Sequence, residues 1–202
     1  MYKRQILADN FESFEFNNWT SVTRDGDGTA SVQTAAVKTG RCAAQLKVTT
    51  NTASQANLVK KTPAGTGQVW AQGWFNVLAQ GANSNSNVPF FRLFSGTTRA
   101  VDVYRANGTG QLYLRLITDT GTTTFQSLGR ILAQNTWYHI KVYTDASGAT
   151  STVQVSLNGT ALRASPAASL NTSLIDSAMI GSEHFVQEGT LAVDDVVINA
   201  AT

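Results

Sequence analysis

Apolar residues recur along this chain at a period of two, in short runs broken by Gly, Asn, Asp and Ser, and that rhythm predicts strands rather than helices. Strands are expected over Gln5–Ala8, Ala30–Val37, Cys42–Thr49, Gln55–Lys61, Gln68–Ala79, Pro89–Ser95, Arg99–Arg105, Gln111–Thr118, Thr123–Leu128, Trp137–Thr144, Thr152–Leu157, Ala178–Ser182 and Gly189–Asn199. Asn107-Gly108, Asp119-Thr120-Gly121, Asp145-Ala146-Ser147-Gly148 and Asn158-Gly159 lie between these runs, where residues tolerant of positive φ are needed. Asp25-Gly26-Asp27-Gly28 is a turn as well, because no later Glu completes the calcium loop it superficially resembles. Gln80–Asn87 and Ser165–Leu174 break the rhythm and read as surface loops. Short strands with no helices between them pack as two antiparallel sheets, so the chain reads as an all-β sandwich forming one domain over residues 6–202.

Alternation also sorts side chains by face. Val69, Ala71, Phe75 and Val77 share one side of their strand, and Trp70, Gln72, Trp74 and Asn76 the other. Leu112, Leu114 and Leu116 point inward, which leaves Gln111, Tyr113 and Arg115 outward; Asp102 with Tyr104, and Gln154 with Ser156, split in the same way. Sugars need flat apolar platforms for their C–H faces and planar donors or acceptors for their hydroxyls. Trp70, Trp74, Arg92, Asp102, Tyr104, Tyr113 and Arg115 are therefore the candidate ligand-binding set. The competing assignment for a Trp in a central strand is the core, which is where Trp19 and Trp137 are placed, or at strand ends. In the last strand Leu191 and Val193 alternate in one register and Val196 and Ile198 in the other, so a bulge is expected at Asp194-Asp195.

Hydrophobic residues make up 42% of the 202 and charged residues only 14%, with a formal net charge of +2. Hydroxyls and amides replace the missing ions, which suits neutral polar ligands or packing against other subunits and gives little pull on nucleic acid. Cys42 is the only cysteine, so no intrachain disulfide forms, and no Cys/His spacing points to zinc; Cys42 reads as a small core residue. No run is long and apolar enough to span a membrane. Met1-Tyr2-Lys3-Arg4-Gln5 reads like translated sequencing-adapter DNA from a fragmentary, metagenomic assembly, so residues 1–5 are set apart from the fold and a leader or upstream domains are expected to be missing.

Asp9-Asn10-Phe11-Glu12 followed by Trp19, then Thr39-Gly40-Arg41-Cys42-Ala43-Ala44-Gln45-Leu46, and finally Leu191-Ala192-Val193-Asp194-Asp195-Val196-Val197-Ile198 resemble the opening, second-strand and closing motifs of jelly-roll carbohydrate-binding modules. Between them, Gly110-Gln111-Leu112-Tyr113-Leu114, Asn135-Thr136-Trp137-Tyr138-His139-Ile140-Lys141-Val142 and Val155-Ser156-Leu157-Asn158-Gly159 are similar to motifs of the laminin-G and concanavalin A-like lectin/glucanase superfamily. Together they span nearly the whole chain, and the resemblance implies a jelly roll. It also implies a structural calcium ion held by Glu12, a carbonyl of the Lys38–Gly40 stretch and Asp194 or Asp195, with Asp9 as an extra oxygen; calcium takes six to eight such ligands.

Function is a property of sites, since this architecture hosts lectins, glycanases, lyases and coat proteins alike. A glycanase on this fold needs two carboxylates converging on one face. The adjacent pair Asp194-Asp195 faces opposite ways, and no E-x-D-x-x-E-like strand is present. Lyases of this class use Tyr and His beside an Arg or Gln; the two histidines are His139 and His184, and His139 with Tyr143 and an Arg is the set a lyase would use. The leading expectation is a non-catalytic carbohydrate-binding or adhesion module of an extracellular or cell-surface protein, with a polysaccharide or glycan as partner. The second is a self-associating structural subunit of an extracellular filament or phage particle, and the third a polysaccharide lyase or glycanase.

Overall fold

A computed structural model of the chain describes residues 3–166 and 169–201. Met1 and Tyr2 of the N-terminal stretch, and part of the Ser165–Leu174 connection, lie outside the described residues. The elements are β1 (Arg4–Asp9), β2 (Ser21–Asp25), β3 (Thr29–Gln33), β4 (Ala43–Val48), β5 (Gln55–Lys61), β6 (Gln68–Gln80), β7 (Asn87–Ser95), β8 (Thr98–Ala106), β9 (Gln111–Ile117), β10 (Thr123–Ile131), β11 (Tyr138–Asp145), β12 (Thr152–Leu157), β13 (Thr160–Pro166), β14 (Ser177–Ser182) and β15 (Gly189–Ala201). A 3-10 turn, Phe185–Gln187, separates the last two strands. Among the described residues no helix is long and apolar enough to cross a membrane.

Two antiparallel sheets form a jelly-roll sandwich. Sheet A runs β13-β12-β11-β6-β15-β4-β3, with β1 also on β15, and sheet B runs β10-β9-β8-β7-β14-β5-β2. β15 is central to sheet A: β6 lies along one side of it, while β4 pairs with Gly189–Val193 and β1 with the 196–200 stretch on the other. The first and last strands are thereby joined. Arg4 opposite Ala200 and Gln5 opposite Asn199 bring residues of the set-apart N-terminal stretch into the sheet.

The core lies between the inner faces and is apolar on both. Val69, Ala71, Phe75 and Val77 of β6 meet Phe91, Leu93, Val103 and Leu114 of sheet B, all buried. The Phe75 ring lies 4.9 Å from Phe91, edge to face, and 5.2 Å from Phe90, geometries that aromatic pairs favour. Trp19 is buried, and its indole N–H donates to Asp9 Oδ2 at 2.8 Å. Cys42 is buried in the core region.

Sequence periodicity misses β2 and β13. β2 carries one apolar side chain, Val22, and lies half exposed at the edge of sheet B, so pairing with β5 holds it rather than burial of its own residues. β3 ends at Gln33 rather than continuing to Val37, because Gln33 Oε1 accepts from the N–H groups of Ala35 and Ala36 and turns the chain. The phase change in β15 is a bulge between Asp194 and Val197, with Asp195 at φ 48°.

Candidate functional site

Directly opposed residues of antiparallel strands point to the same side of a sheet. Register therefore sets Met179, Arg92, Asp102, Arg115 and Phe125 in one row across β14, β7, β8, β9 and β10. This row lies on the outer face of sheet B, since Val103 and Leu114, which alternate with it, are buried in the core. The next row sets Tyr104 opposite Tyr113 and Tyr113 opposite Ser127. The two tyrosine rings stack with centroids 5.6 Å apart and planes 13° apart. At the open edge, Phe125 on β10 is 63% exposed, so it supplies apolar surface that the interior does not use.

Beside the tyrosines, in the neighbouring row, lies a closed ionic circuit. Arg92 Nε meets Asp102 Oδ1 at 3.3 Å and Arg92 Nη1 meets Glu183 Oε2 at 3.0 Å. Arg99 Nη1 bridges the same two acids, at 3.1 Å to Asp102 Oδ2 and 3.3 Å to Glu183 Oε2. The segment before β15 closes over Arg92: Gln187 Oε1 accepts from Arg92 Nη1 at 3.1 Å and from the Glu183 N–H at 2.9 Å. Arg92 is fully buried as a result and Asp102 nearly so. Neither is the exposed platform residue that strand alternation implies; both underpin the face, because a later segment covers them.

Two cations and two acids balance in that circuit, and Arg115 is left over. It donates from Nη1 to the Arg99 carbonyl at 3.0 Å and has no acidic partner among the described residues. Burial, then the neighbouring Arg99, pulls its pKa below the usual range, so its charge is held at a cost that an incoming anion would relieve. Arg92 Nη2 and Arg99 Nε are buried donors without partners among the described residues. Burial and Asp102 push the Tyr104 hydroxyl up to about 12, so at neutral pH it is a neutral donor. Arg99, Glu183, Gln187 and Phe125 join the site without having been selected from sequence. Of these only Phe125, an aromatic in an otherwise polar edge strand, carries a local signal.

His184 sits beside this circuit, and burial, followed by Arg92, lowers its pKa. Its imidazole stays neutral in the fold at a pH where the unfolded chain, near 6.5, takes up a proton. Stability contributed by His184 is therefore complete above about pH 6.5 and is lost as pH falls through the folded value. Urea unfolding at pH 7 and pH 5 should show a smaller loss of stability for His184→Asn than for the unchanged chain; equal losses would remove this residue from the acid response.

Trp70 and Trp74 lie on the opposite side of the sandwich, the outer face of sheet A, and the proposed single platform is thus two. Trp70 stacks on Tyr143 at 4.9 Å, and Trp74 lies 5.0 Å from His139 with Lys38 Nζ 4.1 Å over its ring. His139 and Tyr143 share β11, four residues apart, which is roughly 13 Å along a strand. That separation is too long for one proton-transfer site.

Two carboxylates fix the 38–42 segment. Asp194 Oδ2 accepts from the N–H groups of Lys38 and Thr39 at 3.0 and 3.1 Å, and Glu12 Oε1 accepts from those of Arg41 and Cys42 at 2.7 and 2.9 Å. Gly40, at φ 66°, packs its backbone against the Glu12 carboxylate, where a Cβ would collide. Asp195 accepts from Thr39 Oγ1, and both oxygens of Asp9 are engaged, by the Phe11 N–H and Trp19. Asp9 thus serves the core, and no three His, Cys, Asp or Glu side chains gather as a metal group among the described residues. Asp194 is fully buried and no cationic side chain pairs with it among those residues; burial raises its pKa against the pull of Thr39 and Lys38. Backbone donors alone answer its charge, since Asp194 Oδ1 accepts from the Asp195 N–H at 2.8 Å while Oδ2 takes those of Lys38 and Thr39.

Neither a family model nor a curated protein sequence matches the chain. Solved structures do. An endo-β-1,4-glucuronan lyase from the fungus Trichoderma reesei superposes with a TM-score of 0.75 at 10% identity, covering 99% of this chain and 95% of its own. Cellulose induced protein Cip1 gives a TM-score of 0.72 at 17% identity, covering 95% of this chain and 96% of its own. The binding domain of Paraclostridial Mosquitocidal Protein 1 gives 0.59 at 12% identity, covering 98% of this chain and 50% of its own. At these identities the likeness is one of fold: the chain is a jelly-roll β-sandwich of the kind shared by a glycan-cleaving enzyme and by binding domains.

Proposed function

We propose that this chain is a non-catalytic glycan-binding domain whose ligand face is the outer face of sheet B, and that it selects polysaccharides bearing carboxylates. The observation that carries this reading is Arg115, a half-buried guanidinium without an acidic partner among the described residues, set beside the Tyr104–Tyr113 stack. The rings offer apolar surface to a sugar's C–H face, while Arg115 offers paired donors of the geometry a carboxylate accepts. The partly similar folds of a glucuronan lyase and of binding domains support a saccharide ligand in general terms.

Binding without cleavage is favoured because the His139 and Tyr143 pair that the sequence offers a lyase is not brought together. His139 and Tyr143 are separated along β11, and Tyr104, held neutral, is a poor base. Incubation with a polyuronate should release no ultraviolet-absorbing unsaturated ends; steady release at a rate abolished by Tyr104→Phe would make the protein a lyase. An extracellular or cell-surface setting goes with a polysaccharide ligand.

Calcium at the Asp194 segment is the second part of the proposal, in a structural role. An ion bound only by the folded chain stabilises it by about 2.7 kcal/mol at a hundred times its dissociation constant. Millimolar calcium should raise the melting temperature, chelator should lower it, and Asp194→Ala should abolish the difference. Identical melting with calcium and chelator would discard the ion.

A further inference from the structure

The outer face of sheet A carries a cavity of about 440 Å³, on the other side of the sandwich from Tyr113 and Arg115. Register builds its floor from four strands: Gln154 lies opposite Tyr143, Tyr143 opposite Trp70, and Trp70 opposite Asn199. Lys141 and Gln72 form the next pair along β11 and β6. Trp70 is only half buried, whereas Val69 and Ala71 on either side of it fill the core, so the interior does not require its ring. Stacked on Tyr143 with planes 23° apart, it forms an aromatic wall instead.

Lys3 also lines the cavity, with its Nζ 5.0 Å over the Trp70 ring. The hydrogen bonds beside the cavity run from Tyr143 Oη and Gln68 Nε2 to Asp145. Gln72, Lys141 and Asn199 line the cavity without a side-chain partner among the described residues, and no acid lines it. Amides supply adjacent donors and acceptors at the spacing of vicinal hydroxyls, and the absence of acidic lining disfavours a cationic ligand. A concave site of a few hundred Å³ with an aromatic wall and a few convergent polar groups is the usual form of a small-ligand site.

We infer that this cavity is a second saccharide site, taking a pyranose unit against the Trp70–Tyr143 wall with its hydroxyls on Gln72, Lys141 and Asn199. The domain then holds glycan on both faces and links two chains. This site stands independently of the sheet B reading, since no residue is shared between them.

Calorimetric titration with a neutral gluco-oligosaccharide and with an oligouronate of equal length tests it, in three proteins: the unchanged chain, Gln72→Ala/Asn199→Ala, and Arg115→Gln. Loss of two hydrogen-bonding side chains should weaken the sheet A site roughly tenfold or more. The unchanged chain should titrate two sites with one or other probe, and Gln72→Ala/Asn199→Ala should lose one of them while Arg115→Gln keeps that one. Lys141→Met, at an exposed position, gives the same reading should the double variant not fold. Binding unaltered by the sheet A variants overturns the inference, even where Arg115→Gln abolishes binding and the sheet B reading holds. Binding lost in the sheet A variants but untouched by Arg115→Gln upholds the inference and overturns the sheet B reading. No titration by either probe overturns both.

Discussion

Replacing Arg92 by alanine is expected to destabilise the fold by about 3–5 kcal/mol, the usual consequence of removing one partner of a buried ion pair. Arg92 is fully buried and holds Asp102, Glu183 and Gln187 together. Without it, Asp102 keeps only Arg99, and the segment that closes over β7 loses the side chain it closes upon. The cost comes from what is left behind: a buried carboxylate with half its pairing, and Gln187 with only the Glu183 N–H as donor. Buried ion pairs are often no more stabilising than apolar residues of similar volume, so the variant carrying both Arg92→Met and Asp102→Leu should recover most of the loss. Urea unfolding of the two single variants and the double would show this as strong coupling. Strictly additive losses would mean that Arg92 contributes through packing alone.

The second large effect is on binding. Arg115→Gln removes a charge-assisted pair of donors, worth about 1.5–3 kcal/mol, and affinity for a polyuronate should fall roughly 10- to 150-fold. Tyr113→Ala opens the stack with Tyr104 and should weaken uronate and neutral glycan alike, since it removes apolar surface and no charge. The two substitutions therefore have different signatures: Arg115→Gln erases the preference for acid and its dependence on salt, while Tyr113→Ala leaves the preference and lowers the overall affinity. Phe125→Ala at the exposed edge should act as Tyr113→Ala does, and more weakly, because a single ring is lost from the rim.

Which parts of this were legible in the sequence follows from what strand alternation encodes. A period of two tells which residues of one strand share a face, and that is why Tyr113 and Arg115, or Trp70 and Trp74, are correctly grouped within their strands. It does not tell which sheet a strand joins. β6 and β9 have the same pattern of apolar inward residues, yet they lie in different sheets, so Trp70 and Tyr113 come to point away from each other. The bulge at Asp194 was readable because a phase change is itself a property of the pattern.

Burial of Arg92 was not readable, for a different reason. Its pairing with Gln187 joins residues 95 positions apart, and the Phe185–Gln187 turn that covers it has no periodic signature. Arg99 and Glu183 escaped notice in the same way: each is ordinary in its own segment, and only the approach of β14 to β7 brings Glu183 beside Arg92 and Arg99. β2 and β13 were missed because edge strands need little apolar content to pair.

The most direct measurement is a titration of the unchanged chain with a polyuronate and with the same polymer after reduction of its carboxyl groups, at low and high salt. Acidic recognition through Arg115 predicts binding to the polyuronate at least roughly tenfold tighter than to the reduced polymer, with the margin shrinking as salt screens it. Equal affinity for the two polymers, or a preference that survives Arg115→Gln, would contradict it.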